Sequence, residues 1–516
     1  MMINSTEKNK PLDGLRFVVT AIDLEQDEHR GIAVYSKGIL RALKRSGAEV
    51  WLLTQFDGRV NDLSSRKIPR NTKQFISYAR VLEGLNTGRP DTLIEKILNP
   101  IPLVNLCTPS VLKAQNYLSG IFVTKKYKSS KLKYYPLREL FDSPYLQAER
   151  LSYLGEIDGL ICASDIFINS FRLASRKNNR PLRINLEGFH GLITTCPLHI
   201  QPTNPMLFIQ TVHDIIPLEY VQTTDHVAGF ARRLHSCSKA VRLFVSETTR
   251  HKFNKVVLAK NQEKFHKNNR TLMQSPSMQF PGDALDWEAQ MSTLSINKKL
   301  VQTNKYLLFN SSVEPRKNLL FALKAYIESG VELYGIQFCI TGMLKRDKYS
   351  KEVKKIVEEH PTIFLTGYVD EATKRRLYLN ALALISPSLV EGFGIPVLDA
   401  ACLGLPVIAS TSASHHEIKQ LHDFNEHILL CSTLHTSDWA SAMRLITLKA
   451  NERKLGINNE SLPSDRNKIR IERIKRYRKY QKLIDANFDK TICELILEEL
   501  HTKQQVDWQG NSKANQ

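Results

Sequence analysis

Residues 386–407 read Ser386-Pro-Ser-Leu-Val-Glu391-Gly392-Phe393-Gly394-Ile395-Pro396-Val-Leu-Asp399-Ala-Ala-Cys-Leu-Gly404-Leu-Pro406-Val407. The apolar run before this stretch predicts a strand ending near Ser386, and a glycine-rich loop follows. Pro396 suits the first turn of a helix, where its missing N–H costs nothing. Gly404 suits the helix C-terminus. Loop glycines let backbone amides approach a ligand closely, and the helix N-terminus favours a phosphate. Glu391 stands at the strand end and Asp399 one helical turn inside. Two carboxylates so placed can accept hydrogen bonds from sugar hydroxyls. The same pattern fits an ordinary strand–loop–helix crossover carrying two solvated acids, and the residues alone do not separate the two.

The flanking sequence repeats the rhythm. Strand-like runs occur at Tyr306-Phe309, Gln337-Thr341, Ile363-Thr366, Ala383-Ser386 and Val407-Ala409, with helical patterns at Asn318–Glu328, Glu371–Asn380 and Pro396–Cys402. Strands alternating with helices indicate a doubly wound α/β domain, whose ligands bind beyond the carboxyl ends of the strands. Toward the N-terminus, Phe17-Ala21 reads as a strand, Ile32, Tyr35, Ile39, Leu40 and Leu43 recur at helical spacing, and Val50-Leu53 resumes a strand. That is a βαβ unit, and it implies a second parallel sheet. Further strand runs are expected at 159–162, 207–212 and 243–246. Residues 55–150 and 259–300 are weakly patterned.

The segment from Glu391 to Asp399 resembles the E-x7-E signature of family-4 retaining glycosyltransferases with the GT-B fold. The implied fold is α/β, with two Rossmann-like domains facing across a cleft. The resemblance makes Glu391 and the loop of Gly392, Phe393 and Gly394 the holders of a donor sugar, and Asp399 the partner of the nucleotide ribose. This sequence departs there, since the family has Glu at that position and Asp is one methylene shorter. Ser311-Ser312-Val313-Glu314-Pro315-Arg316-Lys317-Asn318 is similar to the family's E-P-R-K-N element. Lys317 is thereby implied at the donor diphosphate, with Arg316 beside it. A fixed cation stabilises the charge that develops on a departing diphosphate. The bland alternative is an exposed basic pair at a helix start, where it would oppose the helix dipole unless an anion were present. Gly367-Tyr368-Val369 resembles the loop that stacks on the nucleotide base, although both Tyr368 and Val369 suit a core equally well. Thr211-Val212-His213-Asp214-Ile215-Ile216-Pro217 resembles the family's H-D element, which implies His213 near the donor sugar and Asp214 orienting the cleft or the acceptor. Gly31, opening the first helix, is similar to the family's N-terminal glycine-rich loop; a plain helix cap is the alternative.

The implied reaction moves a hexose, with mannose the first expectation, from a nucleotide-diphosphate sugar to a glycan or lipid-linked acceptor with retention of configuration. The leaving phosphate itself would take the acceptor proton. No cofactor is expected beyond the donor substrate, and no metal: no D-x-D triplet occurs in the chain, which disfavours the metal-dependent GT-A type. The competing reading is a catalytically impaired sugar-nucleotide-binding or membrane-associated regulatory relative.

The expected boundaries are a disordered tail at 1–13, an N-terminal acceptor-side domain at 14–300 with a linker or insert at 259–300, a C-terminal donor domain at 301–485, and a helix crossing back within 486–516. The 516 residues are 42% hydrophobic, enough for two cores. The N-terminal residues lack an apolar signal segment, and the eight cysteines form no C-x-x-C pair. Both point to a reducing, cytoplasmic setting. The formal charge of +20 fits nucleotide diphosphates, an anionic membrane surface or nucleic acid, as well as a lysine-rich solvated surface. No nucleic-acid-binding module is present. Residues 466–482 carry nine Lys or Arg and one Glu. Such a helix can lie peripherally on an anionic membrane, or pack one face on its own domain.

Overall fold

The computed structural model describes residues 10–26, 31–57, 69–87, 123–137, 149–177, 179–220, 226–237, 240–258, 269–280, 293–296, 299–455 and 463–514. Two parallel sheets organise the chain. The first has eight strands, in the order Asn269–Thr271, Val241–Phe244, Leu207–Val212, Gly191–Thr194, Arg16–Thr20, Glu49–Thr54, Gly159–Cys162 and Lys133–Pro136. Only Lys133–Pro136 runs antiparallel to its neighbour. The second has six strands, all parallel, in the order Ile363–Gly367, Gln337–Thr341, Tyr306–Asn310, Ala383–Ser386, Val407–Ser410 and Ile428–Cys431.

The central strands are apolar on both faces because helices cover both faces. Phe17 and Val19 enter one buried cluster and Val18 another, as the two-residue period of a strand requires. In the second sheet Leu308 faces one cluster while Leu307 and Phe309 face a different one. Chain order reverses between Tyr306–Asn310 and Ala383–Ser386, which are hydrogen-bonded neighbours. The loops leaving their carboxyl ends therefore diverge and open a crevice. Those loops contain Lys317 and Glu391.

A cleft of about 1370 Å³ lies between the sheets, lined by Asp23, His213 and Asp214 from the first and by Glu314, Arg316 and Lys345 from the second. The fold class expected from the sequence, α/β GT-B with two Rossmann-like domains facing across a cleft, is the one observed.

Several local expectations change. Residues 10–13 are not a free tail: Leu12 is fully buried and its N–H donates to the Ser46 carbonyl at 2.9 Å. Within 259–300, Asn269–Thr271 is an edge strand of the first sheet rather than linker; residues 259–268 and 281–292 lie outside the described residues, as do 1–9 and most of 55–150. The final helix, Pro463–Ala514, passes residue 485 without a break. Its first part packs on the second sheet's domain. Further along, Phe488 packs 5.4 Å from Tyr35 and Asp489 pairs with Arg45 at 2.9 Å. One helix thus ties both domains together.

Part of the basic stretch of that helix is engaged by the protein itself, while Lys468, Lys475, Lys479 and Lys482 are exposed. Arg470 is buried and donates to Asn380 and Thr303, Arg473 donates to the Leu379 and Ala381 carbonyls, and Arg476 pairs with Asp423. Ile474, Tyr477 and Ile484 form its buried face. Among the described residues no helix is long and apolar enough to cross a membrane.

Candidate functional site

Pro315–Lys317 is a single 3-10 turn that opens on Pro315 and ends at Asn318, whose φ of 55° redirects the chain into the helix Leu319–Ser329. The turn is pinned from outside, because the Leu389 N–H donates to the Arg316 carbonyl at 2.8 Å. That one bond draws the two switch-point loops together. Lys317 Nζ then donates to Glu391 Oε1, with the two side chains 9% and 10% exposed. Arg316 extends the cluster. Its Nε lies 3.1 Å from Glu314 and its Nη1 3.7 Å from Glu391, while Lys345 Nζ reaches Glu314 at 2.8 Å. Arg316 Nη1 is buried and makes no hydrogen bond among the described residues. Burial alone would raise Glu391, but Lys317 and Arg316 beside it hold its carboxyl at about 2. Burial lowers Lys317 below the ordinary lysine value, and Glu391 opposes that shift. The result is a largely buried ion pair at the crevice, with the Arg316 guanidinium beside it.

Gly392 joins this loop to the other domain. A Cβ placed there would stand 2.5 Å from the His213 carbonyl oxygen and 2.9 Å from Asp214 Cβ. The Gly392 carbonyl lies within hydrogen-bonding distance of Ser246, Thr249 and Ser414 hydroxyls, at 2.8, 3.1 and 3.3 Å. Ser246 and Thr249 belong to the first domain, at the start of the helix Glu247–Val256. Glu417, from the second domain, caps that same helix by accepting from the Glu247 and Thr248 N–H groups at 2.8 and 3.0 Å. Such a cap satisfies otherwise orphaned amides.

His213 is buried. Its Nε2–H donates to the Thr195 carbonyl at 2.7 Å, which fixes the tautomer because a carbonyl can only accept. Burial pushes its pKa down to about 4, so the ring is neutral at ordinary pH. Asp214 Oδ1 accepts from the Ile216 N–H at 3.1 Å and the residue lines the cleft. Gly31 is the first residue of its helix, Gly31–Arg45, and Ile395 the first of Ile395–Leu403. A Cβ on Gly31 would lie 2.7 Å from Ile395 Cδ1, so the positive ends of two helices from two domains converge beside the Glu391–Gly394 loop. Gly394 itself has φ of 107°, a value that favours glycine. Phe393 is buried in the main core.

Asp399 is placed differently from the other acid of the loop. It is fully buried, and its carboxylate accepts from the Ser277 N–H at 2.7 Å, from the Ser277 hydroxyl and from the Tyr477 hydroxyl at 2.7 Å. Burial raises its pKa, against the nearby charge of Lys374 and these hydrogen bonds. Its partners come from the segment joining the domains and from the final helix. Tyr368, at the end of the strand Ile363–Gly367, is 58% exposed, while Val369 packs partly against the core.

Three residues that carry no motif of their own complete the picture. His415 is fully buried against Gly394: its Nδ1 is 3.1 Å from Ser410 and a Cβ on Gly394 would lie 3.2 Å from its ring. Asp23 and Glu25, after the first strand, line the cleft. Burial pushes them up to about 6 and about 7. The D-L-E spacing looks like an ordinary polar loop, and only the fold reveals that it faces the cleft. Among the described residues no three His, Cys, Asp or Glu side chains group as a metal-ligand set.

Residues 292–452 match the family described as Glycosyl transferases group 1. The O-antigen chain mannosyltransferase B of Escherichia coli is 32% identical over 117 residues, 22% of this chain and 30% of that one. An uncharacterised glycosyltransferase of Methanocaldococcus jannaschii is 28% identical over 122 residues, 23% of this chain and 30% of that one. The chain thus matches less than a third of the length of these curated relatives. Among solved structures, sucrose-phosphate synthase from Thermosynechococcus elongatus aligns over 96% of this chain and 100% of its own, at 14% identity and a TM-score of 0.47.

Proposed function

We propose that the chain is a glycosyltransferase that moves a hexose from a nucleotide-diphosphate sugar to a glycan or lipid-linked acceptor, with retention of configuration. The observation that carries this reading is the buried Lys317–Glu391 pair, closed over by the Gly392–His213 contact from the opposite domain. A diphosphate entering between the two helix N-termini would meet Arg316 Nη1, which makes no hydrogen bond among the described residues, and draw Lys317 toward itself. That exchange frees Glu391, an ionised acceptor, for sugar hydroxyls. The neutral His213 is suited to hydrogen-bond a sugar rather than to repel the charge that grows on the breaking bond. The family match at 292–452 supports the transferase reading, and the mannosyltransferase relative makes mannose the first donor sugar to test.

A thermal-shift screen of the full chain against UDP-, GDP-, ADP- and dTDP-sugars tests it. One nucleotide sugar should raise the melting temperature by several degrees, and the shift should vanish in Lys317→Ala and Glu391→Gln. Absence of any shift would reject the reading.

One observation favours the second reading, a sugar-nucleotide-binding or membrane-associated regulatory relative. Asp399, the residue that the resemblance assigns to the ribose, has its carboxylate filled by Ser277 and Tyr477. Donor binding without donor hydrolysis or transfer would select that reading.

A further inference from the structure

The final helix leads to His213 through two aromatic rings. Phe488 packs on Tyr35 with ring centroids 5.4 Å apart and planes at 75°, and Tyr35 packs on His213 at 5.1 Å and 83°. Both are edge-to-face contacts, an arrangement that ring quadrupoles favour. The register of the two helices is set one residue along. Arg45 Nε and Nη2 each lie 2.9 Å from a different oxygen of Asp489, a two-pronged pair that fixes one alignment. That alignment seats Phe488 on Gly38, where a Cβ would stand 3.4 Å from its ring. Gly38 and Arg45 share a face of the helix Gly31–Arg45 with Tyr35, so one seam carries all three contacts.

His213 needs such a support. Its backbone is held, because the Thr249 hydroxyl donates to its carbonyl at 3.3 Å and Gly392 packs on the same oxygen. Its ring makes one hydrogen bond among the described residues, from Nε2–H to the Thr195 carbonyl at 2.7 Å. A ring on a single hydrogen bond can still tilt about it. The Tyr35 ring, 1% exposed and backed by Phe488, limits that motion. The Tyr35 hydroxyl is buried and makes no hydrogen bond among the described residues, so the ring does the holding. With Nε2–H given to Thr195, Nδ1 carries the lone pair, and a ligand hydroxyl that meets it must donate along its direction. Ring tilt therefore sets the geometry of that bond.

We propose that Phe488 and Tyr35 are positioning residues for His213: through them the final helix sets the angle at which Nδ1 meets a hydroxyl of the donor sugar. The inference rests on the transferase reading of the cleft and adds two residues that lie outside its loops.

The test uses the full chain with isotope-labelled histidine, and His213→Gln to assign the His213 ring signal in NMR spectra. In Phe488→Leu that signal should shift or broaden, although the altered side chain lies behind Tyr35. Tyr35→Leu should move it further, and Tyr35→Phe, which keeps the ring, should leave it nearly in place. With the best nucleotide sugar from the thermal screen, kcat should fall about ten- to hundred-fold in Phe488→Leu and Tyr35→Leu, with donor KM changed by less than about three-fold. Tyr35→Phe should keep its kcat. The donor-induced thermal shift shows that each variant is folded. Should Phe488→Leu not fold, Asp489→Asn, which releases the register pair nearer the surface, carries the same expectation. An unmoved His213 signal, equal kcat losses in Tyr35→Phe and Tyr35→Leu, or a loss carried by donor KM alone would overturn the proposal. If no nucleotide sugar binds, the transferase reading fails and the histidine spectra alone judge the positioning. Movement in Phe488→Leu with none in Tyr35→Phe sustains it, and any other pattern ends it.

Discussion

The His213 carbonyl oxygen stands 2.5 Å from the point a Cβ on Gly392 would occupy. Backbone meets backbone across the two domains, and no rotamer change relieves an added methyl there. Gly31 makes a similar approach, but to the terminal methyl of Ile395, which can turn aside. Gly392→Ala should therefore push the domains apart and lower transfer activity at least about a hundred-fold, as misplacement of reacting groups by about 1 Å does. Gly31→Ala should cost less than about ten-fold. Parallel kinetics on the two variants check the difference. Equal effects would mean that the domain contact does not position the site.

Lys317 and Glu391 are a buried pair, so removing one charge strands the other. Glu391→Gln should destabilise the chain by about 3–5 kcal/mol in addition to abolishing donor binding. Adding Lys317→Met should restore much of the stability and none of the binding. The pH dependence follows from the direction of the shift. The Glu391 carboxyl falls from 4.5 to about 2 on folding, so its contribution is complete above pH 4.5 and is lost as pH falls toward 2. Denaturant melts of the single and double variants at pH 7 and pH 3 separate these effects.

How much of this was legible in the sequence differs by residue. Lys317 and Glu391 were named from loop motifs, because a glycine-rich loop and a Pro-opened turn advertise themselves locally. Strands such as Leu207–Val212 and Gln337–Thr341 were readable as apolar runs since both faces are buried. Asp23 and His415 were not readable. Asp23 matters only because it lines a cleft built from loops distant in the chain, with the Ser36 hydroxyl donating to it, and that placement leaves no local pattern. For the arginines at 470–476 the sequence left open a membrane-facing surface or a face packed on the chain's own domain, because the carbonyls and side chains that engage them lie in distant loops. The edge strand Asn269–Thr271 is three residues long, too short for a period to show.

His213 gives a second pH test with the same sense and a different window. Its pKa falls from 6.5 to about 4 because burial excludes the charged ring. Between these values the unfolded chain binds a proton that the folded chain does not. Stability is thus full above pH 6.5 and declines as pH falls to 4, by on the order of 3 kcal/mol from this residue. His213→Gln should remove about one proton from the slope of stability against pH in that window. His415, also lowered by burial, keeps part of the slope. Proton uptake on unfolding, measured by calorimetry in two buffers of different ionisation enthalpy, reads this directly.

Tyr477 decides what Asp399 is for. Its hydroxyl donates to Asp399 at 2.7 Å and accepts from the Met278 N–H at 2.8 Å, joining the final helix, the segment between the domains and the donor-loop helix at one oxygen. In Tyr477→Phe the Met278 amide loses its partner and Asp399 keeps only Ser277. Leaving a buried donor unsatisfied costs about 1–3 kcal/mol, so the melting temperature should fall by several degrees. If Asp399 is a structural anchor, donor affinity should be nearly unchanged once the variant is measured well below its melting point. If Asp399 must leave Ser277 to meet a ribose, releasing one of its holders should instead tighten donor binding, because less has to be broken when the nucleotide enters. Isothermal titration of the nucleoside diphosphate into both proteins distinguishes the two, since affinity stays nearly unchanged in the first case and rises as stability falls in the second.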